Sequence, residues 1–457
     1  MAFKRALGLF DATMLVAGSM IGSGIFIVSA DIARITASPM LLLVVWGITG
    51  LITIIAALSY GELAGMMPQA GGQYVYLREA FGPLAGFLYG WTLFTVIQTG
   101  TIAAVAMAFA KYTGLLQPFF AEDHRILTIG SWSVSWAQLL AISTILFLTA
   151  VNSRGVNVGK IIQNVFTSTK VVSVVALAIL GIVIGWGSDA FHMNMSGVTS
   201  LVPSSPLALL PMIAVAMVGS IFSSDAWNNI TFAAAEVKDP KKTIPLSLLY
   251  GVLLVTVLYL LANIAYMCLM PIGDIAVAQK DRVGAAAAQV MFGPPGATIM
   301  AVLIMVSTFG CNNGLILSGA RAYYAMALDK LFFKKAGVLS EKQVPRNALW
   351  IQAAWASALC LSGTYGNLLD YVVMAVLLFY IVTIAGIFRL RKTQPNTPRP
   401  YKAFGYPVLP ALYIVAATFI CVCLLMYKQE YSLPGLLIVL LGVPVYYVWG
   451  RKTNRLS

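Results

Sequence analysis

The chain has 457 residues, 60% of them hydrophobic and only 10% charged, and carries a net charge of +13. Soluble chains carry about 25% charged residues, so this composition excludes an ordinary soluble protein and points to one solvated by lipid. The length suffices for about a dozen spans of roughly 20 residues with short connections, and no stretch is left for a separate soluble domain.

Apolar runs predict spans near residues 12–36, 40–66, 84–112, 132–151, 157–186, 206–236, 244–270, 296–328, 347–362, 367–389, 407–427 and 432–450. Lys4 and Arg5 mimic the start of a secretory signal. The apolar run behind them is too long and lacks a small-residue cleavage site, so it reads as a retained span. With the N-terminus inside, 22 of the 29 Lys and Arg fall on the inner side, 6 on the outer side, and Lys170 lies within a span. That asymmetry follows the positive-inside rule. It predicts a multi-pass protein of the plasma membrane with both termini cytoplasmic, and no basic surface for nucleic acid.

Span one is interrupted by Gly22-Ser23-Gly24. Glycine permits the backbone to unwind there, which frees amides at the start of the outer half-helix and carbonyls at the end of the inner half. The amides suit a carboxylate and the carbonyls an ammonium, so the break matches a zwitterionic amino acid. The other reading is close helix packing, because Gly18 and Gly22 are four apart. The segment Pro68 to Pro83 reads as a short amphipathic helix at the inner interface. In span five, Lys170 follows a polar stripe of Lys160, Asn164 and Thr167 at helical spacing. It is either a cation standing where other transporters hold a metal ion, or a lysine snorkelling to the inner surface.

Span six is interrupted by Ser223-Ser224-Asp225, between Phe222 and Trp227. Broken spans at matching places in two halves are the best sequence pointer to a transporter site at mid-membrane. Asp225 either serves that site, for an ammonium, a cationic side chain or a proton, or caps the second half-helix. Phe222 reads either as a gate over the substrate or as ordinary packing. The outer loop Pro271 to Pro295 is long enough to fold over the pathway. In span eight, Ser307, Thr308, Asn312 and Asn313 face either the same cavity or neighbouring helices. Glu62 and Glu236 read as gate or loop ion pairs. The proline-rich stretch Thr393 to Pro407 reads as an extended inner linker, and the last two spans as packing or dimerisation elements.

The five cysteines all lie in or beside spans, so no disulfide framework is expected. The two histidines lie in outer loops, and no metal-ligand set, cofactor motif or nucleophile–base set is visible. An enzyme is therefore not expected; a channel, which needs a continuous polar lining rather than isolated breaks, and a membrane sensor, which would carry a signalling domain, are the remote alternatives.

The ordered motifs carry a family resemblance. Gly22-Ser23-Gly24-Ile25-Phe26 resembles the unwound first helix of the amino acid–polyamine–organocation superfamily. Tyr60-Gly61-Glu62-Leu63, then Pro68, Gly71-Gly72, Tyr74, Tyr76 and Phe81-Gly82-Pro83, resembles its signature between spans two and three. Phe222 to Asn228, followed by Glu236-Val237-Lys238-Asp239-Pro240 and Pro245, is similar to the L-amino acid transporter family. Lys170 and the run Phe309 to Asn312 resemble the bacterial serine/threonine exchangers within it.

The resemblance implies an all-α integral membrane protein of 12 transmembrane helices, with a leucine-transporter-type 5+5 inverted repeat, broken helices 1 and 6, and two extra helices. The repeats would cover 1–195 and 196–392, with 393–457 holding the last two helices and the tail. It implies sodium-independent exchange of small neutral L-amino acids, serine, threonine or alanine. The substrate carboxylate would sit on the amides around Ser23 and Gly24, and the ammonium on carbonyls near Met20, Ile21 and Phe222, beside Ser223 and Asp225. Lys170 would replace the coupling ion. Asp225 and Ser224 depart from the usual glycine and tyrosine, which admits cationic substrates and a larger cavity. Proton-coupled symport is the other mechanism left open. The loop 112–132 lacks the cysteine that ties animal members to a glycoprotein, so no disulfide-linked subunit is expected, and the protein is a monomer or homodimer.

Overall fold

The computed structural model describes residues 3–129, 132–196, 205–362 and 365–454. The first half runs α1 (Leu9–Met20), α2 (Gly24–Thr36), α3 (Pro39–Met66), α4 (Gln73–Phe81), α5 (Pro83–Thr92), α6 (Gln98–Leu116), α7 (Trp136–Asn152), α8 (Val156–Gly185) and α9 (Asp189–Met195). The second runs α10 (Pro206–Ser223), α11 (Asn229–Phe232), α12 (Pro240–Leu269), α13 (Ile272–Ala276), α14 (Val283–Phe292), α15 (Pro294–Leu328), α16 (Arg346–Cys360), α17 (Tyr365–Thr393), α18 (Val408–Tyr427) and α19 (Gln429–Asn454). Proline opens α3, α5, α12 and α15, where its missing N–H costs nothing and its fixed φ suits the first turn.

By length and hydropathy, 8 of the described helical segments can cross a membrane, and the bent pair α1–α2 makes 9. The remaining expected spans coincide with α7, α10 with α11, and α16, which are shorter. α5 and α6 join through a π-helical turn at Leu93–Ile97 into one span, Pro83–Leu116. The protein is thus an all-α multi-pass membrane protein.

Three segments differ from expectation. α4 is packed into the bundle rather than lying on its surface: Gln73, Tyr74, Val75, Tyr76, Leu77 and Ala80 are all buried. Before α7, an antiparallel hairpin of β1 (Arg125–Ile129) and β2 (Trp132–Ser135) replaces the expected start of span four. The helix begins only where Ser135 and Gln138 cap each other. The proline-rich linker is pinned rather than free. Glu62 accepts from Arg391 at 2.9 and 2.7 Å and from the Ala403 amide at 2.7 Å, and pairs with Arg399 at 3.2 Å.

The two broken elements lie side by side, α2 along α10 and α1 against α11, enclosed by α8, α12 and α15. The termini share one face: Phe3 packs on Tyr324, and the Trp449 indole donates to the Lys330 carbonyl. On the opposite face, α13 and α14 pack against α2.

Candidate substrate site at the two helix breaks

α1 ends at Met20, and Ile21 leaves the helix with extended dihedrals. α2 restarts at Gly24 after a 41° bend, with no side chain capping its first turn. The break leaves the last carbonyls of α1 without intrahelical partners, and side chains from α8, α12 and α15 take them up. Close packing applies to glycines on both sides of the break, and neither Gly22 nor Gly24 has a positive φ. Gly18 is a packing glycine: a Cβ there would sit 2.2 Å from Gln163 and from Thr167 of α8. Gly24 holds the two breaks together, since its Cβ would sit 2.0 Å from Ser223 Oγ and 2.6 Å from Ser223 Cβ.

Lys170 does not snorkel. It is 1% exposed, and its ammonium donates to the carbonyls of Gly18, Ile21 (2.8 Å) and Ser307 (3.5 Å). The stripe below it packs on α1: Lys160 pairs with Asp11 at 2.7 Å, Asn164 donates to Asp11, and Thr167 to the Met14 carbonyl. A strip of polar contacts thus guides α8 along α1 until Lys170 reaches the break. Ser307 Oγ also lies 3.2 Å from the Ile21 carbonyl and 3.3 Å from that of Gly22. With Lys170 and Ser307 both on it, the Ile21 carbonyl has its two lone pairs engaged. Cys311 donates to the Ser19 carbonyl at 3.0 Å.

The sequence reading missed Tyr259. Its hydroxyl lies 3.0 Å from the carbonyl of Met20 and 3.0 Å from that of Ser223, so one side chain on α12 bridges both breaks. Nothing in the leucine-rich run around it marks it; only a buried phenol in a span hinted at a partner.

At the second break, α10 ends at Ser223 and only a short turn, α11, follows. Asp225 is not its cap: the N-cap position belongs to Asn228. Ala226 has φ +64, the left-handed region, which turns the chain sharply between the two pieces. Asp225, 8% exposed, accepts a 2.5 Å hydrogen bond from Tyr380 and makes no ion pair among the described residues. Tyr380 in turn packs with the rings of Tyr60 and Trp227, at 4.8–5.7 Å between centroids. Asn228 donates to Gln73, and Gln73 to Thr383, so buried α4 joins the break to α17.

Two small voids flank Asp225. One, about 10 Å³, is lined by polar groups including Gln73, Gln98 and Asn228; the other, about 20 Å³, by Ser224, Trp227 and Tyr413. Each has space for about one water, so a whole amino acid requires the half-helices to part.

The cluster on span eight divides. Ser307 serves the first break, Asn313 bonds to Asn152, Gln163 and Gly159, and Thr308 bonds to its own helix. Asn312 is buried with neither side-chain atom bonded among the described residues. Glu236 pairs with Arg321 at 2.9 Å, both fully buried. Its carbonyl accepts from Ala6 and Leu7, and Lys238 N–H returns to Leu7, so the N-terminal segment closes the site from the termini face. Among the described residues no group of three or more His, Cys, Asp or Glu is placed to hold a metal.

The profile of the amino acid permease family matches residues 7–448. The chain belongs to that family. It is 31% identical over 464 residues to the large neutral amino acids transporter small subunit 2 of Homo sapiens, covering 100% of this chain and 83% of that one. It is 28% identical over 469 residues to the b(0,+)-type amino acid transporter 1 of Mus musculus, covering 99% of this chain and 91% of that one. This permease is accordingly a membrane transporter of amino acids and not an enzyme.

Proposed function

We propose that this permease exchanges small neutral L-amino acids, with serine, threonine and alanine as the first candidates, without sodium. The observation that carries this reading is the Lys170 ammonium on the carbonyls of Gly18, Ile21 and Ser307. A fixed cation there fills the place a sodium ion would need and repels a second one. The substrate carboxylate goes to the amides of Ser23 and Gly24. The ammonium goes to the carbonyls of Met20 and Phe222, the Ile21 carbonyl being already engaged. Ser223 and Asp225 line the same space. Transport rocks the two broken helices against the rest, with residues 1–195 and 196–392 as inverted repeats and Phe222 as the gate. The lysine and arginine asymmetry supports a plasma-membrane location with cytoplasmic termini. No cysteine lies in 112–132 and the described cysteines are all buried, which supports transport without a disulfide-linked subunit; a non-reducing gel of the native membrane tests that.

A second reading is favoured by one observation: Asp225 is a buried carboxylate with a hydroxyl partner and no described cation. A cationic side chain would supply the missing charge. One of the relatives is named as a b(0,+)-type transporter.

The test uses purified permease in liposomes preloaded with L-serine, in sodium-free buffer. Labelled serine taken up by loaded but not empty vesicles supports the exchanger. Arginine uptake supports Asp225 as a side-chain selector. Equal uptake into empty vesicles removes obligatory exchange, and uptake driven only by an imposed pH gradient replaces it with proton symport.

A further inference from the structure

On the face opposite the termini, the side chain of one cationic residue, Arg282, contacts the backbone of another, Lys111. Lys111, near the end of α6, is 8% exposed, and its ammonium has no hydrogen-bond or ion-pair partner among the described residues. Arg282, at the start of α14, donates to the Lys111 carbonyl at 2.7 Å and lies over the Tyr112 ring at 5.8 Å, but its Nε is buried and unbonded. The neighbouring charges are otherwise engaged: Asp281 with Arg34 at 2.7 Å, and Lys280 with Asp123 at 2.9 Å. Glu122 is close enough to influence Lys111 but too far to pair with it directly. A buried guanidinium N–H without an acceptor is costly and marks a missing anion or water, while the unpaired Lys111 ammonium still reaches solvent.

Their position is specific. Tyr112, next to Lys111, donates to the carbonyl of Phe26, and Gly284 of α14 packs directly on the Phe26 ring. Phe26 lies three residues beyond Ser23, about one helical turn outward from the break. Tyr112 beside Lys111 and Gly284 near Arg282 thus both pack on Phe26, one turn from the break.

We propose that Lys111 and Arg282 form a second carboxylate site, in which an amino acid docks before it passes Phe26 to the helix breaks. The proposal rests on the transport reading above. An ammonium and a guanidinium N–H match the two oxygens of a carboxylate, and the aromatic floor leaves the rest of the ligand to be selected deeper in. The site then sets capture from this face only.

The test compares Lys111→Gln, Arg282→Gln and Arg282→Lys in right-side-out and inside-out membrane vesicles, following labelled serine exchange. The expected result is a five- to twentyfold rise in KM from the face of α14, unchanged kcat, unchanged KM from the termini face, and partial recovery in Arg282→Lys. The unchanged second face also shows that the variants are folded. Equal KM changes on both faces, or none on either, overturn the proposal. So does Glu122→Gln reproducing the Lys111→Gln effect, which would make the pair a water-bridged structural contact. If replacing chloride by methanesulfonate, which carries no carboxylate, alters wild-type KM and the variants abolish that response, the site holds an inorganic anion and the substrate assignment falls. Absence of amino acid exchange in the wild type would instead refute the reading on which it rests.

Discussion

Replacing Gly24 by alanine tests whether the two breaks work as one unit. The new Cβ would lie 2.0 Å from Ser223 Oγ, 2.6 Å from its Cβ and 3.0 Å from its Cα. A hydroxyl can rotate away, but Cβ and Cα cannot. Carbon–carbon contacts settle near 3.5–4.0 Å, so α2 and α10 must separate by about 1 Å. Overpacking of this kind costs about 1–3 kcal/mol, and a misplacement of ~1 Å in a positioning site costs about 100-fold in rate. The Tyr259 hydroxyl, 3.0 Å from both Met20 and Ser223 carbonyls, would lose one of them. The expected outcome is a protein that reaches the membrane and purifies as wild type, with serine counterflow reduced about 100-fold. Adding Ser223→Gly removes the two shortest contacts and should restore most of the activity of Ser223→Gly alone. A Gly24→Ala rate within about twofold of wild type, or a double variant no faster than the single one, would refute the reasoning.

Lys170→Ala strips the ammonium from the carbonyls of Gly18 and Ser307, while Ile21 keeps the Ser307 hydroxyl. Ser307 keeps its helical partner inside α15, so the loss falls on the Gly18 carbonyl; at about 1–3 kcal/mol, exchange should fall about tenfold with folding retained, and normal counterflow would contradict the assigned role. Tyr259→Phe removes the bridge between the breaks and should weaken serine binding by about tenfold; unchanged half-saturation would show the bridge to be incidental. Asp225→Asn keeps an acceptor for Tyr380 but removes the charge. Serine exchange should survive and any arginine uptake should be lost, whereas equal loss of both would make Asp225 structural. Ala226→Gly relieves a left-handed residue and should raise thermal stability by about 1 kcal/mol, read as a shift in the unfolding temperature of the purified permease.

Much of this architecture was legible one residue at a time. Apolar runs must become helices in lipid because backbone polar groups find no other partners there. Gly22-Ser23-Gly24 and Ser223-Ser224-Asp225 announced the breaks because polar or unwound backbone at that depth has to serve something. Lys170 stood out for the same reason. What lay beyond reach was every relation between segments distant in sequence. The fit of Gly24 against Ser223 joins residues about 200 apart, and the bridge from Tyr259 depends on where α12 passes the breaks. The burial of α4, the pinning of the linker by Glu62 and the release of Asp225 from capping were likewise decided by packing. The sequence by itself determined the solvent, the spans and the chemistry available at each break. The tertiary structure alone decided which carbonyl meets which donor, because hydrogen bonds act over about 3 Å and only the assembled bundle sets distances that short.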